Sequence, residues 1–140
     1  MSVLLHQATC VSIDGRALLI EGAPGSGKSS LALALIDRGA VLIGDDGVGL
    51  DLRGDRLLAS PPQHISGLLE VRGLGLITFP TAADIPVALV LRLDPQAERF
   101  IEQAGRTTLR GTELPIVSLW PDTPHLPIKA ELALRTFGLA

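Results

Sequence analysis

The sequence predicts an α/β nucleotide-binding domain, and three observations point that way. A glycine-rich octapeptide, Gly22-Ala23-Pro24-Gly25-Ser26-Gly27-Lys28-Ser29, stands between a short apolar run and a run of good helix formers. A second apolar run, Val41-Leu42-Ile43-Gly44, ends on the acidic pair Asp45-Asp46. The remainder alternates short Val-, Ile- and Leu-rich segments with Gly, Pro and Asp punctuation, without repeats or a low-complexity linker.

Residues from Ala8 to Ile13 and from Ala17 to Glu21 read as strands joined at Asp14-Gly15, a dipeptide that tolerates the positive φ of a tight hairpin turn. From Lys28 through Ile36 the residues favour helix, with Arg38 near the end and Gly39 suited to the first non-helical position. That helix is apolar on most sides, which predicts burial. Val41 to Gly44 fits a short strand covered on both faces. Strand, glycine loop, helix, strand and acidic pair is the order of a nucleotide-binding unit, and a parallel sheet would bring the carboxylates beside the loop. Val48 to Leu52 and Arg56 to Ala59 read as a second hairpin across Arg53-Gly54-Asp55, a turn rather than an adhesion signal. Leu68 to Val71, Leu76 to Phe79 and Val87 to Leu93 are further strands. Gln96 to Gln103 is expected as a short helix opened by Pro95, and Ile128 to Arg135 as a helix entered through Pro127.

At 140 residues the chain suits one domain, residues 1–140. Hydrophobic residues at 46% against 19% charged exclude a disordered chain, and no apolar run reaches the roughly 20 residues a membrane-spanning helix needs. The segment Met1 to His6 carries no export signal, so the expected location is the cytoplasm, away from any membrane. Cys10 is the single cysteine, which excludes an internal disulfide and a cysteine-rich zinc site and leaves it as a small buried hydrophobe. A net charge of -3 without charge blocks, and only 3% aromatic residues, argue against nucleic acid as a partner.

The octapeptide matches G-x-x-x-x-G-K-[ST], whose glycines let successive backbone N–H groups turn toward one centre and cradle phosphate oxygens. Lys28 is placed to contact the β and γ phosphates of ATP, Ser29 to ligate Mg²⁺, and the start of the following helix adds partial positive charge. The alternative, an ordinary glycine turn, leaves the lysine, the hydroxyl and the flanking strand and helix as coincidences. In the Asp45-Asp46 pair one carboxylate can hold Mg²⁺ through water while the other accepts the proton of an attacking hydroxyl. The sequence does not distinguish the two; a cap or turn at a strand end is the plainer reading of an arbitrary Asp-Asp, but the place of this pair just after a glycine loop and its helix favours the functional one.

The octapeptide, Arg38-Gly39, Asp45-Asp46 and above all Leu69-Glu70-Val71-Arg72-Gly73-Leu74-Gly75 together resemble the catalytic domain of HPr kinase/phosphorylase, from about His6 to Leu76. The Glu-x-Arg-Gly-x-Gly segment after an Asp-Asp pair is the more specific part. The resemblance implies the short form of that family: a compact, strand-rich domain of the HPr kinase/phosphoenolpyruvate carboxykinase-like type with a central P-loop helix. It implies an ATP- and Mg²⁺-dependent transfer of phosphate to a seryl hydroxyl of HPr, the carrier protein of the sugar phosphotransferase system, and a homo-oligomer, often a hexamer. On this likeness Lys28 and Ser29 bind phosphate and metal. Glu70, with Ser29 and Asp45, belongs to the metal site, and Asp45 or Asp46 is the base. Arg72 neutralises phosphate charge through its planar guanidinium, and His6 is an active-site histidine. Read without the resemblance, Leu68 to Leu76 is a strand and a glycine turn with Glu70 and Arg72 ion-paired on one face. The loop that serves the reverse, phosphorylase reaction has no counterpart, and no motif selects among Arg99, Arg106, Arg110 and Lys129 as a replacement cation. His64 and His125 receive no role. A small-molecule kinase or a non-catalytic nucleotide-binding regulator are the alternatives; the loop resembles that of adenylate kinases, but the arginines and lid those need are missing.

Overall fold

In the computed structural model of the chain, which describes residues 4–63 and 66–140, a nine-stranded mixed sheet forms the body of the molecule and a two-stranded hairpin packs beside it. His64 lies outside the described residues. The sheet is built from β1 (Leu4–His6), β2 (Thr9–Ile13), β3 (Arg16–Gly22), β4 (Val41–Gly44), β5 (Val48–Arg53), β6 (Arg56–Ser60), β9 (Ile85–Leu93), β10 (Gly105–Leu109) and β11 (Thr112–Leu119). The separate hairpin is β7 (Leu68–Val71) and β8 (Gly75–Thr78), and two helices complete the fold, α1 (Lys28–Asp37) and α2 (Leu126–Phe137).

Both predicted hairpins form. β2 pairs antiparallel with β3 across Asp14-Gly15, where φ is 51° and 79°, the left-handed values such a turn requires. β5 pairs with β6, and Arg53 belongs to the strand, so the turn is Gly54-Asp55. The long strand β9 organises the rest, running parallel to β3 along its length and meeting β6 at one end and β11 at the other. Period-two alternation sends Leu18 and Ile20 to the face covered by Leu31 and Leu35 of α1 and Ala130 and Leu134 of α2. Ala17 and Leu19 point the opposite way, into a second core with Cys10, Val48, Leu50 and Leu57. Covered on both faces, β3 and β9 read as continuous apolar runs rather than alternating ones. No helix among the described residues is long and apolar enough to cross a membrane.

Four features differ from the sequence reading. β4 does not neighbour β3; the antiparallel β2 stands between them, so two reversals restore the direction and the ends of β3 and β4 still open on one side of the sheet. No helix forms over Gln96 to Gln103; the Asp94 carboxylate accepts from the Gln96 amide at 2.8 Å and the Asp94 carbonyl from the Ala97 amide at 3.1 Å, and the chain makes a single turn. The Trp120 indole N–H takes the Ala97 carbonyl, the acceptor a helix here would offer to the Ile101 amide. β1 was not expected and lies antiparallel to β5. Nor were β10 and β11, which turn at Arg110-Gly111, where φ is 51° and 78°.

Gly44 makes the closest backbone approach relevant to the site: a Cβ there would overlap the Gly47 carbonyl oxygen, whereas a Cβ at Gly47 would meet nothing nearer than 3.5 Å. Gly44→Ala should therefore cost about 1–3 kcal/mol as an overpacking substitution, read as a lower urea midpoint at unchanged slope, with Gly47→Ala as the mild control. Cys10 is fully buried and burial pushes its thiol well above the ordinary range, so it stays neutral. A disulfide reagent should label it only at the rate of unfolding, measured by absorbance in native buffer and in urea.

Candidate active site

The carboxyl ends of β3 and β4 and the start of α1 meet in one place because strand direction, not strand adjacency, decides where loops emerge. The Gly22-to-Ser29 loop leaves β3 and feeds α1 through Gly27, whose φ of 103° only glycine adopts freely. The first turn of α1 has no side-chain cap and no acidic residue, so its amides remain directed at the loop's concave side. Within the loop the Ser26 amide donates to the Ala23 carbonyl at 3.0 Å. Ser26 Oγ is buried without a partner, and Gly22 has no Cβ because Ser26 occupies that space. Lys28 Nζ folds back on the loop, donating to the carbonyls of Gly22 at 3.0 Å and Ala23 at 3.3 Å.

The two aspartates take different positions. Asp45 Oδ1 accepts from Ser29 Oγ at 2.7 Å and from Thr9 Oγ1 at 3.0 Å, and Asp45 Oδ2 accepts from the Glu70 amide at 3.1 Å. Asp46 carries no hydrogen bond among the described residues and sits at φ 59°, a left-handed value that Asp tolerates. Arg72 and Gly73 form the turn of the β7–β8 hairpin, closed by the Leu74 amide on the Val71 carbonyl at 2.9 Å. The ion pair between Glu70 and Arg72 that a continuous strand would allow does not form, because Arg72 has left the strand.

Together these residues surround a cavity of about 490 Å³, the size of a small-molecule site. Of the residues singled out in the sequence, Gly22, Pro24, Gly25, Gly27, Lys28, Ser29, Asp46, Glu70 and Arg72 line it. Ala23, Ser26 and Asp45 do not line it. His6 stands beside it on β1, with Nε2 3.2 Å from Glu21 Oε2, next to the lining residues Gln7 and Gly22. Arg99, Arg106, Arg110 and Lys129 do not line the cavity; Arg106 faces Glu113 at 3.9 Å and Arg110 donates to the Leu50 carbonyl. Sequence reasoning passed over Gln7, Ser30, Thr9 and Glu21. Only Glu21, a charge ending an otherwise apolar strand one residue before Gly22, left a trace in the sequence.

The donor set suits a nucleotide with a hard cation. The loop offers an unpartnered buried hydroxyl, uncapped helix amides and an ammonium group. Ser29, Asp45 and Glu70 offer only oxygen, and no group of three or more His, Cys, Asp or Glu converges among the described residues. Mg²⁺ asks for no such cage, since it takes one or two carboxylates and completes its shell with water and phosphate oxygens.

Known proteins similar to this chain point to one family. The family profile described as HPr Serine kinase C-terminal domain matches residues 2–83. An HPr kinase/phosphorylase of Limosilactobacillus reuteri is 35% identical over 122 residues, covering 78% of this chain and 38% of the relative. That of Chlorobium phaeobacteroides is 30% identical over 127 residues, again covering 38% of the relative. The similarity thus runs past Leu76, where the sequence motifs end, while the chain spans well under half the length of these relatives. The solved HPr(Ser) kinase/phosphatase of Coxiella burnetii superposes with a TM-score of 0.83 at 28% identity, over 94% of this chain and 88% of that one. The strand-rich α/β fold, the profile match and these relatives point the same way, and the chain belongs to the HPr serine kinase C-terminal domain family.

Proposed function

We propose that this domain transfers the terminal phosphate of ATP, with Mg²⁺, to a serine hydroxyl of an HPr-type phosphocarrier protein in the cytoplasm, as a homo-oligomer of the hexameric kind suggested by family likeness. The observation that carries the reading is the division of labour between the aspartates: Asp45 is spent on Ser29, Thr9 and the Glu70 amide, while Asp46, without a hydrogen bond among the described residues, lines the same cavity as Lys28 and Arg72.

The residues assume distinct roles in this reading. The Gly22-to-Ser29 amides and the α1 terminus bind the phosphates, and Lys28 exchanges the two loop carbonyls it now holds for phosphate oxygens. Ser29, Asp45 and Glu70 hold Mg²⁺, which when bound neutralises charge on the phosphates. Asp46 accepts the proton of the serine hydroxyl as base. Arg72, on a turn at the rim, receives charge developing on the transferred group through two parallel N–H donors. Support for the acceptor comes from the names of the relatives; the phosphorylase direction has no dedicated loop here.

Incubation with γ-labelled ATP, Mg²⁺ and HPr tests the proposal: label on HPr supports it, label on a nucleotide or no transfer contradicts it. Asp46→Asn should lower kcat by about 10²- to 10⁴-fold while the dissociation constant for Mg-ATP stays within about twofold, a split that steady-state kinetics and calorimetry resolve. Lys28→Ala should weaken both nucleotide binding and transfer, with kcat/KM down by about 100-fold or more.

A further inference from the structure

We infer that Glu21 is a positioning residue for His6, held in turn by Arg92, in the reaction proposed above, on which this inference rests. Three strands carry the arrangement. His6 ends β1, Glu21 is the last residue before Gly22 on β3, and Arg92 is the in-register neighbour of Glu21 on the parallel strand β9. In the pairing order β5, β6 and β9 stand between β1 and β3, so the contact of His6 with Glu21 needs the sheet to curl until β1 reaches the loop end of β3.

Glu21 uses both oxygens. Oε2 lies 3.2 Å from His6 Nε2, and Oε1 lies 3.5 Å from Arg92 Nη2. A carboxylate only accepts, so the Nε2 proton of His6 is directed at Glu21 and Nδ1 is the nitrogen left to exchange a proton or a hydrogen bond with the neighbouring cavity. The side chains of His6 and Glu21 are only 23% and 22% exposed, which favours a held ring over a freely rotating one. Arg92, half exposed, fixes the carboxylate from the side away from the ring. The glutamate is thus fixed by its own strand, by a cation on the next strand and by the imidazole it orients, immediately before the phosphate loop begins. A charge ending an apolar strand at that point serves no core packing; its partners explain it.

The test is a double-mutant cycle on HPr phosphorylation by the full chain. Glu21→Ala should lower kcat roughly 10- to 100-fold with KM for ATP within about twofold, because a misoriented group loses turnover and not ground-state binding. The decisive comparison is with His6→Ala: the pair His6→Ala/Glu21→Ala should be no slower than His6→Ala alone. Glu21→Gln, whose amide oxygen still accepts from Nε2, should recover most of the lost turnover. If Glu21→Ala fails to fold, Arg92→Ala carries the same cycle, with a smaller loss that again vanishes in the His6→Ala background. Losses that multiply in the double variant, or a raised KM as the main effect, overturn the role of Glu21 while leaving the kinase reading intact. A wild-type chain that transfers no phosphate to HPr overturns both.

Discussion

The carboxylate of Asp45 receives donors from three separate pieces of the chain: the Thr9 hydroxyl on β2, the Ser29 hydroxyl at the start of α1 and the Glu70 amide on β7. Each hydrogen bond to a charged acceptor contributes about 1.5–3 kcal/mol, and leaving such a group half satisfied costs more than its removal would suggest. The consequence is geometric. The loop-to-helix junction, the end of β4 and the separate hairpin are pinned to one point, and the cavity is the space between them. Asp46 can remain unpaired on the lining because its neighbour performs the structural task.

Around that point the fold supplies a rigid frame. β3 and β9 are buried on both faces, by the helices on one side and by the β5–β6 layer on the other, so the end of β3 from which the glycine-rich loop leaves has little freedom. Gly27 and Gly44 occur where a side chain would be strained or would overlap backbone. The reactive groups themselves sit at strand ends and turns, where side chains can face a ligand without disturbing the core.

Much of this was legible in the residues. Turn chemistry identified the hairpins at Asp14-Gly15 and Gly54-Asp55, and helix propensity with Gly39 bounded α1. The octapeptide, the acidic pair and the Glu70-to-Gly75 segment named most of the cavity lining. The sequence could not reveal that β2 separates β3 from β4, because pairing order is a long-range outcome of the β2–β3 hairpin folding back beside β4. Pro95 suggested a helix, but the chain makes only a turn after Asp94 and the Ala97 carbonyl is taken by the Trp120 indole. β10 and β11 escaped because Pro115 and scattered polar residues blur a period-two pattern. Which aspartate is free could not be read from two identical side chains side by side; it follows from three donors, of which Thr9 lies outside every motif. The same holds for Glu21, whose partners lie 15 positions before it and on the neighbouring strand β9, distant only in sequence.

The central claim, a phosphate cradle facing one free and one anchored aspartate, is tested most directly by a crystal structure of the chain with Mg²⁺ and a non-hydrolysable ATP analogue. The account predicts the terminal phosphates enclosed by the Gly22-to-Ser29 amides with Lys28 Nζ on their oxygens. It predicts the metal beside Ser29 and Asp45, and the Asp46 carboxylate facing the γ-phosphate across an open acceptor position. A nucleotide bound elsewhere, or an Asp46 side chain turned into the protein while Asp45 faces the phosphate alone, would contradict it.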